Sequence, residues 1–328
     1  TATVPKGEVT GIDADSVLSM PGVVTVIDDP ALIARPAQGT AGEAPEQPAR
    51  KVGYFGQPIA LVVAETFEQA RDAAKHLSVS YREDDDAAFD PEAVEAETKD
   101  GATSQGDLAH VMKVAAASVD QTYRTEGHSS AAMEPHAAIA QWDGDTLTVY
   151  ASLQMLNYNI SELADSLGLD EDKVRLVSRY VGGGFGSKLG ISEETVAASV
   201  AAMKLERPVR VAMLRQQVLQ CIMRRSETTQ RLRLAEPVLQ SSHFLYAGQN
   251  RELMLKLARI HRMTAGSVRA PGEAVGMPAL ECAMDVLAEK CGVDPVELRL
   301  RNIPDRHPAN GTPFSSHKLA ECLKQGAE

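Results

Sequence analysis

The 328-residue sequence predicts a soluble α+β protein with two domains and a boundary near residue 100. Residues 52–81 show a strand–helix–strand pattern, and residues 137–167 show two alternating strands followed by a helix. Between them, residues 95–105 are polar, as is typical of a linker. The length also exceeds the roughly 250–300 residues at which single hydrophobic cores stop growing. We therefore expect one domain over residues 1–100 and another over residues 101–328.

The first region begins with a β-branched strand at residues 23–27 and a Pro/Gly/Ala-rich loop at residues 30–50. An apolar strand at residues 57–64, a helix at residues 66–76 and a strand at residues 77–81 follow. Together these three elements predict a βαβ-like unit.

The second region alternates polar and apolar residues at 118–123, 137–142 and 146–151, which predicts strands. The dipeptide Asp143-Gly144 predicts a tight turn that joins the last two strands.

A helix is predicted at residues 159–167 and a strand at residues 173–178, which runs directly into a glycine-rich segment. Near the C-terminal end, Asp294 is a helix-capping residue type and Pro295 suits a first helical position. These features predict a helix from Pro295 to about Arg301.

Composition narrows the class of function. The net charge of −12 argues against nucleic-acid binding, and no apolar run reaches the roughly 20 residues of a membrane helix. Residues 1–6 show no export signal, so we expect a cytoplasmic protein, or a periplasmic one exported on a partner's signal. The four cysteines are scattered, and we therefore predict no protein ligands for a metal.

The glycine-rich segment, residues 181–188, reads Val-Gly-Gly-Gly-Phe-Gly-Ser-Lys. Backbone without Cβ atoms bends sharply and can approach a ligand, so the amides of Gly182 to Gly186 could hold an anionic or polar group. The phosphate-loop pattern fails because Ser187, not glycine, precedes Lys188, and the dinucleotide pattern fails at Ser187 as well. Alone, such a cluster is more often a tight turn.

Five segments occur in the order and rough spacing of one family. They are GYFGQPIALVVAETFEQARDAA, HSSAAMEPHAAIAQW, ASLQ, VGGGFGSK and GSVRAPGEAVGMPALECAMDVLAEKCGVDPVELRLRN. The sequence thereby resembles the molybdenum-binding subunits of the xanthine dehydrogenase/aldehyde oxidase family, the molybdenum hydroxylases. It is most similar to bacterial aldehyde oxidoreductases whose iron–sulfur, flavin and molybdenum parts are separate chains.

The resemblance implies a small α/β-hammerhead-like domain followed by the first part of a molybdopterin-binding domain. It also implies hydroxylation of aldehydes or N-heteroaromatic compounds with water-derived oxygen at a molybdenum-molybdopterin cofactor. Whether that pterin carries a cytosine dinucleotide is left open. Electrons would pass to a 2Fe-2S subunit and then to an FAD subunit.

By the same resemblance, Gln154 would hydrogen-bond an oxygen ligand of molybdenum, and Arg269 would bind the cofactor. The residues that would line the pterin and the metal are Gly183, Gly184, Phe185 and Gly186. Without the family, Gln154 would be an ordinary strand end and Arg269 a surface residue.

Arg224 and Arg225 lie where family members place a substrate-facing arginine, and the choice between them stays open. An arginine there can stabilise developing negative charge, although paired arginines usually form a solvated face. Glu134 and His136 fall in a segment near the family's substrate pocket, where a structural role for the histidine is an equal alternative.

The family's glutamate base, in a G-x-G-E setting, has no counterpart here, because Glu273 after Gly272 belongs to the Arg269 loop. The family's first strands and a hairpin between Ala235 and Glu236 are also missing. We therefore expect half of an active site. The sequence is incomplete, the product is truncated, or a second chain supplies the base.

Two alternatives were weighed. A cofactor-free fragment that scaffolds partner subunits would account for the missing base, whereas a nicotinamide-dependent dehydrogenase is excluded by the glycine spacing. Carbon monoxide oxidation is disfavoured, because neither the glycine loop nor the segment from Val268 to Glu273 contains a cysteine.

Overall fold

The computed structural model describes residues 1–32, 50–98, 103–221, 228–230, 239, 241–258, 260–262, 266 and 268–328. The chain divides into two compact units, which are described separately. The first unit comprises Thr1–Asp90, Ser129–Arg225 and Ile260–Val268, and the second comprises Pro91–His128, Ser226–Arg259 and Arg269–Glu328. The boundary near residue 100 stays a prediction. Most of the predicted loop at residues 30–50 lies outside the described residues.

Helices and strands are mixed, which confirms the predicted α+β class. In the described part of the chain, the strands are β1 (Gly7–Asp13), β2 (Val23–Ile27), β3 (Lys51–Val52), β4 (Leu61–Ala64), β5 (Ser78–Glu83), β6 (Glu97–Thr98), β7 (Thr103–Gln105), β8 (Tyr123–Thr125), β9 (Ala137–Trp142), β10 (Leu147–Ala151), β11 (Val174–Val177), β12 (Val209–Ala212), β13 (Thr228–Gln230), β14 (Arg251–Leu253) and β15 (Lys256–Leu257). The α-helices are α1 (Asp15–Leu18), α2 (Phe67–His76), α3 (Leu108–Val114), α4 (Leu156–Leu167), α5 (Glu193–Leu205), α6 (Arg215–Cys221), α7 (Glu273–Cys291), α8 (Pro295–Asn302) and α9 (Leu319–Ala327). Short 3-10 turns occupy Pro30–Leu32, Glu171–Lys173 and Ser241–His243.

The N-terminal part of the first unit contains the predicted strand–helix–strand segment, but its strands join different sheets. Strand β4 pairs antiparallel with β2, whereas β5 pairs antiparallel with β1. The expected βαβ-like pairing is therefore wrong, although the helix and both strands are present. Periodicity tells which side chains share a strand face, but it does not specify which strand lies alongside.

Helix α2 starts where the sequence predicts. The Thr66 hydroxyl accepts a hydrogen bond from the Gln69 backbone amide, and the Gln69 side chain accepts one from the Thr66 amide. This reciprocal pair is a capping box, which satisfies backbone donors that the first helical turn leaves without partners. The cap therefore fixes the first residue of the helix at Phe67.

The larger sheet of the first unit has the strand order β11-β10-β9-β12. The predicted strand pair is confirmed: β9 and β10 are antiparallel, and the Asp143 carboxylate accepts from the Thr146 amide in the turn. Helix α4 connects β10 to β11, which run parallel. Helix α5 packs on this sheet with buried residues on nearly all of its faces, and its apolar side chains form the core of the unit.

In the second unit, β13 pairs with β8, β14 with β7 and β15 with β6, all antiparallel. The predicted strand at residues 118–123 is wrong for most of its length, because β8 begins only at Tyr123. The predicted linker at residues 95–105 contains the paired strands β6 and β7.

Helices α7 and α8 are held together by Arg299, a buried residue whose guanidinium contacts Glu281 at 2.6 Å and Asp285 at 2.7 Å. Among the described residues, no helix combines the length and the apolar character needed to cross a bilayer.

Helix α8 provides a test of the predicted cap. The Asp294 carboxylate accepts from the amides of Val296 and Glu297, and Pro295 opens the helix, as predicted. Replacing Asp294 with Ala removes this acceptor, and we expect the free energy of unfolding to fall by about 1 kcal/mol. Urea denaturation measures the change. Asp294→Ser retains a capping oxygen, so an equal loss in both variants would contradict the assignment.

Candidate functional site

The sheet of the first unit gathers several chain segments at one edge. Ala138 at the start of β9 lies opposite Ala151 at the end of β10, and Tyr150 lies beside Val177 at the end of β11. Ala137 also lies opposite Ala212, the last residue of β12. The segments that precede β9 and follow β10, β11 and β12 therefore meet at this edge, which contains the glycine loop.

The glycine loop, residues 181–188, follows β11 and has unusual backbone dihedrals. Gly183 and Gly186 have φ of +96° and +98°, and Phe185 between them has φ of +51°. Left-handed backbone is strained for residues with a Cβ atom and nearly free for glycine. The loop therefore depends on its glycines, while Phe185 tolerates a conformation that is uncommon for its residue type.

Two further glycines are required by their neighbours. A Cβ on Gly182 would lie 2.5 Å from the Cβ of Glu134, and one on Gly184 would lie 2.1 Å from the Oε1 of Gln154. Such distances are far inside van der Waals contact. The loop can therefore contact the side chains of Glu134 and Gln154 only because these positions lack side chains.

The structure brings Gln154 onto the glycine loop, as the sequence predicts. Its backbone amide donates to the Lys188 carbonyl at 2.8 Å, and its side-chain oxygen accepts from the Gly186 amide at 3.3 Å. Gln154 is otherwise exposed, and the neighbouring Phe185 is 47% exposed. Gln154 and Gly183 to Gly186 therefore form one contiguous surface.

Lys188, at the end of the loop, was not predicted as a site residue. Its side chain is 0% exposed, and its ammonium contacts Glu134 Oε2 at 2.7 Å and Ser152 Oγ at 3.3 Å. The Ser152 hydroxyl donates to the same carboxylate oxygen at 2.7 Å. A buried ammonium needs such a counter-charge, which identifies Glu134 and Ser152 as its partners.

These contacts determine the charge of Glu134. Burial works to raise its pKa, but hydrogen bonds from Lys188, Ser152 and the Gly182 amide lower it from 4.5 to about 2. Glu134 is therefore ionised throughout the physiological pH range. A general base needs a pKa near the working pH, so Glu134 does not replace the glutamate base of the family.

His136 is buried beside the same loop. Its Nε2 atom lies 3.1 Å from the Ser187 carbonyl oxygen, and its Nδ1 has no hydrogen-bond partner among the residues that the structure describes. Burial lowers the pKa of the imidazole, and the neighbouring charge of Lys188 acts in the same direction. A neutral histidine that supports the loop backbone fits these contacts.

Helix α4 contacts the chain just beyond the loop. The Asn159 side chain donates to the Leu189 carbonyl at 2.7 Å and to the Glu162 carboxylate at 2.8 Å. That carboxylate also accepts from the Ile191 amide at 3.0 Å. The loop is therefore anchored on both sides, by Glu134 at its start and by α4 after its end.

The predicted arginines are not tested by this geometry. Arg269 belongs to the second unit and lies in an exposed turn shortly before α7. Arg224 and Arg225 lie outside the described residues.

The loop has the donors that a polar or anionic cofactor needs. Among the described residues, no acceptor is found for the amides of Gly183, Gly184 and Phe185, or for the side-chain NH2 group of Gln154. Backbone donors without partners are rare in folded proteins unless water or a ligand accepts from them. The same residues could bind the polar edge of a pterin and ligand atoms of its metal. In the described part of the chain, no three His, Cys, Asp or Glu side chains are placed to hold a metal ion themselves.

Comparison with known families agrees with this arrangement. Residues 1–85 match the a/b hammerhead domain of aldehyde oxidase and xanthine dehydrogenase. Residues 91–237 and 234–303 match the molybdopterin cofactor-binding domain. The two matched segments meet where the sequence predicts a missing hairpin.

Known proteins are similar to this chain over nearly its whole length. The aldehyde oxidoreductase molybdenum-binding subunit PaoC of Escherichia coli strain K12 is 37% identical over 100% of this chain and 48% of its own length. The nicotinate dehydrogenase large molybdopterin subunit of Eubacterium barkeri is 24% identical over 92% of this chain and 80% of its own length. The solved aldehyde oxidoreductase of Desulfovibrio gigas superimposes with a TM-score of 0.86 at 24% identity, covering 99% of this chain and 42% of that one.

Fold, loop and sequence matches together define a molybdopterin cofactor-binding protein. Within that class, the chain belongs to the aldehyde oxidase and xanthine dehydrogenase family. It spans about half the length of the Escherichia coli relative.

The low pKa of Glu134 predicts a pH-dependent contribution to stability. A carboxyl group whose pKa is lower in the folded state stabilises the fold above its unfolded pKa and loses this effect as pH falls toward the folded value. We expect wild type to be more stable than Glu134→Gln by a constant amount between pH 6 and 8, and by less at each step from about pH 5 to 3.

Urea unfolding of both proteins at each pH measures this difference. Because His136 is present in both, its own titration cancels to first order. A difference that grows with falling pH would contradict the ion-pair assignment.

Proposed function

We propose that this chain is part of the molybdenum-binding subunit of an oxidoreductase that hydroxylates aldehydes or N-heteroaromatic compounds with water-derived oxygen. The observation that carries the proposal is the row of amide donors at Gly183, Gly184 and Phe185 beside Gln154, which the described chain leaves without acceptors. The family match to a molybdopterin cofactor-binding domain supports it. In the proposed domain arrangement, residues 1–100 form the hammerhead-like domain and residues 101–328 the first part of the cofactor domain.

A bound molybdenum-molybdopterin group would supply the two-electron oxidation of the substrate. The chain's own residues would bind and orient that group. Gln154 would donate from its side-chain nitrogen while its oxygen stays on the Gly186 amide. The amides of Gly183 to Gly186 would contact the pterin and metal ligands, and the exposed Phe185 ring would exclude water beside them.

The arginines complete the proposed site. Arg269 would bind a phosphate of the cofactor, since guanidinium groups form strong charge-assisted hydrogen bonds with phosphates. One of Arg224 and Arg225 would face the substrate and stabilise developing negative charge. Acid hydrolysis that releases cytidine monophosphate would show that the pterin is a cytosine dinucleotide.

The remaining parts of the reaction are assigned to partners. A 2Fe-2S subunit and an FAD subunit would accept the electrons, which agrees with relatives that are themselves named as subunits. The glutamate base would come from family sequence beyond this chain or from a second chain, because the paired Glu134 cannot act as the base. The compartment is the cytoplasm, or the periplasm through a partner's export signal.

The cofactor itself is the first test. We expect molybdenum and pterin in a 1:1 ratio to this chain when it is purified with its partner chains. Elemental analysis and pterin fluorescence after acid oxidation measure them. A complete absence of both would refute the proposal and favour the scaffold alternative.

Turnover of the assembled enzyme tests the site residues. Because Gln154→Ala removes one donor to the cofactor, we expect turnover to fall on the order of 100-fold, with the fold intact by circular dichroism. Phe185→Ala should also lower turnover, by admitting water. Gln141→Ala, which changes an exposed glutamine on β9, is the matched control. Full activity of Gln154→Ala would exclude its assigned role.

A further inference from the structure

We propose that Lys188 is a positioning residue for the cofactor loop, which sets the loop through Glu134 without touching the cofactor. The inference deepens and rests on the proposed function. It concerns a residue that the sequence analysis used only to exclude a phosphate loop.

All of the hydrogen-bonding capacity of Lys188 is used within the chain. Its ammonium donates to Glu134 Oε2 at 2.7 Å, to the Glu134 carbonyl at 3.3 Å and to Ser152 Oγ at 3.3 Å. An ammonium group has three N–H donors, so none is left for a ligand. The side chain is also 0% exposed, which separates it from any group bound on the loop surface.

Glu134 transmits this anchoring to the start of the loop. Its carboxylate accepts from the Gly182 amide at 2.6 Å, and its own backbone amide donates to the Gly182 carbonyl at 3.1 Å. Both polar groups of Gly182 are therefore fixed by one residue. The next three amides, from Gly183 to Phe185, are those proposed to bind the cofactor.

Lys188 also fixes the other side of the proposed site. Its backbone carbonyl accepts from the Gln154 amide at 2.8 Å, and Ser152, two residues before Gln154, contacts its ammonium. One lysine thus links the loop to the strand end that carries Gln154. Binding groups must be held close to their productive geometry, which this link provides.

A purely structural ion pair would behave differently from a positioning pair. If the pair only stabilised the fold, its loss would lower stability but leave the loop unchanged in molecules that remain folded. If it positions the loop, folded molecules would show a loosened loop and faster cofactor release.

Hydrogen exchange of the loop distinguishes these cases. We compare wild type, Lys188→Met, Glu134→Ala and the double variant, with Lys173→Met as the control, since Lys173 forms a surface ion pair with Asp145. A peptide covering residues 181–189 reports on the bonded amides of Gly182, Gly186 and Ser187. We expect about tenfold faster exchange in both single variants, and no further increase in the double variant, because both residues act through one link.

The second readout is cofactor release from the folded holoenzyme, followed as pterin fluorescence after gel filtration and acid oxidation. We expect release about tenfold faster in both single variants and unchanged in Lys173→Met. Exchange and release within twofold of wild type would overturn the proposal. So would effects of equal size in the control.

Two outcomes need separate provision. If Lys188→Met does not fold, Glu134→Gln decides the question, because it preserves shape and removes the charge; unchanged loop exchange in this variant overturns the proposal. If wild type contains no pterin, the proposed function fails, while the exchange experiment still decides whether Lys188 holds the loop.

Discussion

The ion pair between Lys188 and Glu134 is the interaction on which the candidate site depends. The two residues are 54 positions apart, and the sheet brings them together because the start of β9 and the ends of β10 and β11 lie at one edge. A lysine with no exposed surface is costly to bury unless its charge is matched, so the pair fixes the relative position of the three segments. The loop geometry follows from that constraint.

Elements governed by local signals were predicted well. The alternation of β9 and β10 and the Asp143 turn are encoded within 15 residues, and the caps of α2 and α8 within four. Helix α5 was not predicted, since it is buried on nearly all faces and lacks the polar stripe that reveals an amphipathic helix. The pairing of β4 and β5 also failed to follow from sequence, because strand partners are a long-range property.

The candidate site divides in the same way. The glycine loop and Gln154 were found through motifs, which are short and continuous in the sequence. Lys188 and Ser152 were missed, because their significance lies in a contact with Glu134 that no local pattern encodes. The one available signal was a lysine within an otherwise apolar and glycine-rich stretch, which calls for a nearby carboxylate.

The glycines of the loop answer to two constraints at once. Gly183 and Gly186 are required by their backbone dihedrals, whereas Gly182 and Gly184 are required because Glu134 and Gln154 occupy the space of a side chain. The second constraint exists only while the ion pair holds Glu134 in place. The same bonds that hold Glu134 also keep its carboxylate ionised, so a residue able to fix the loop is unable to accept a proton near neutral pH. Positioning and proton transfer must therefore be assigned to different carboxylates in this family's site.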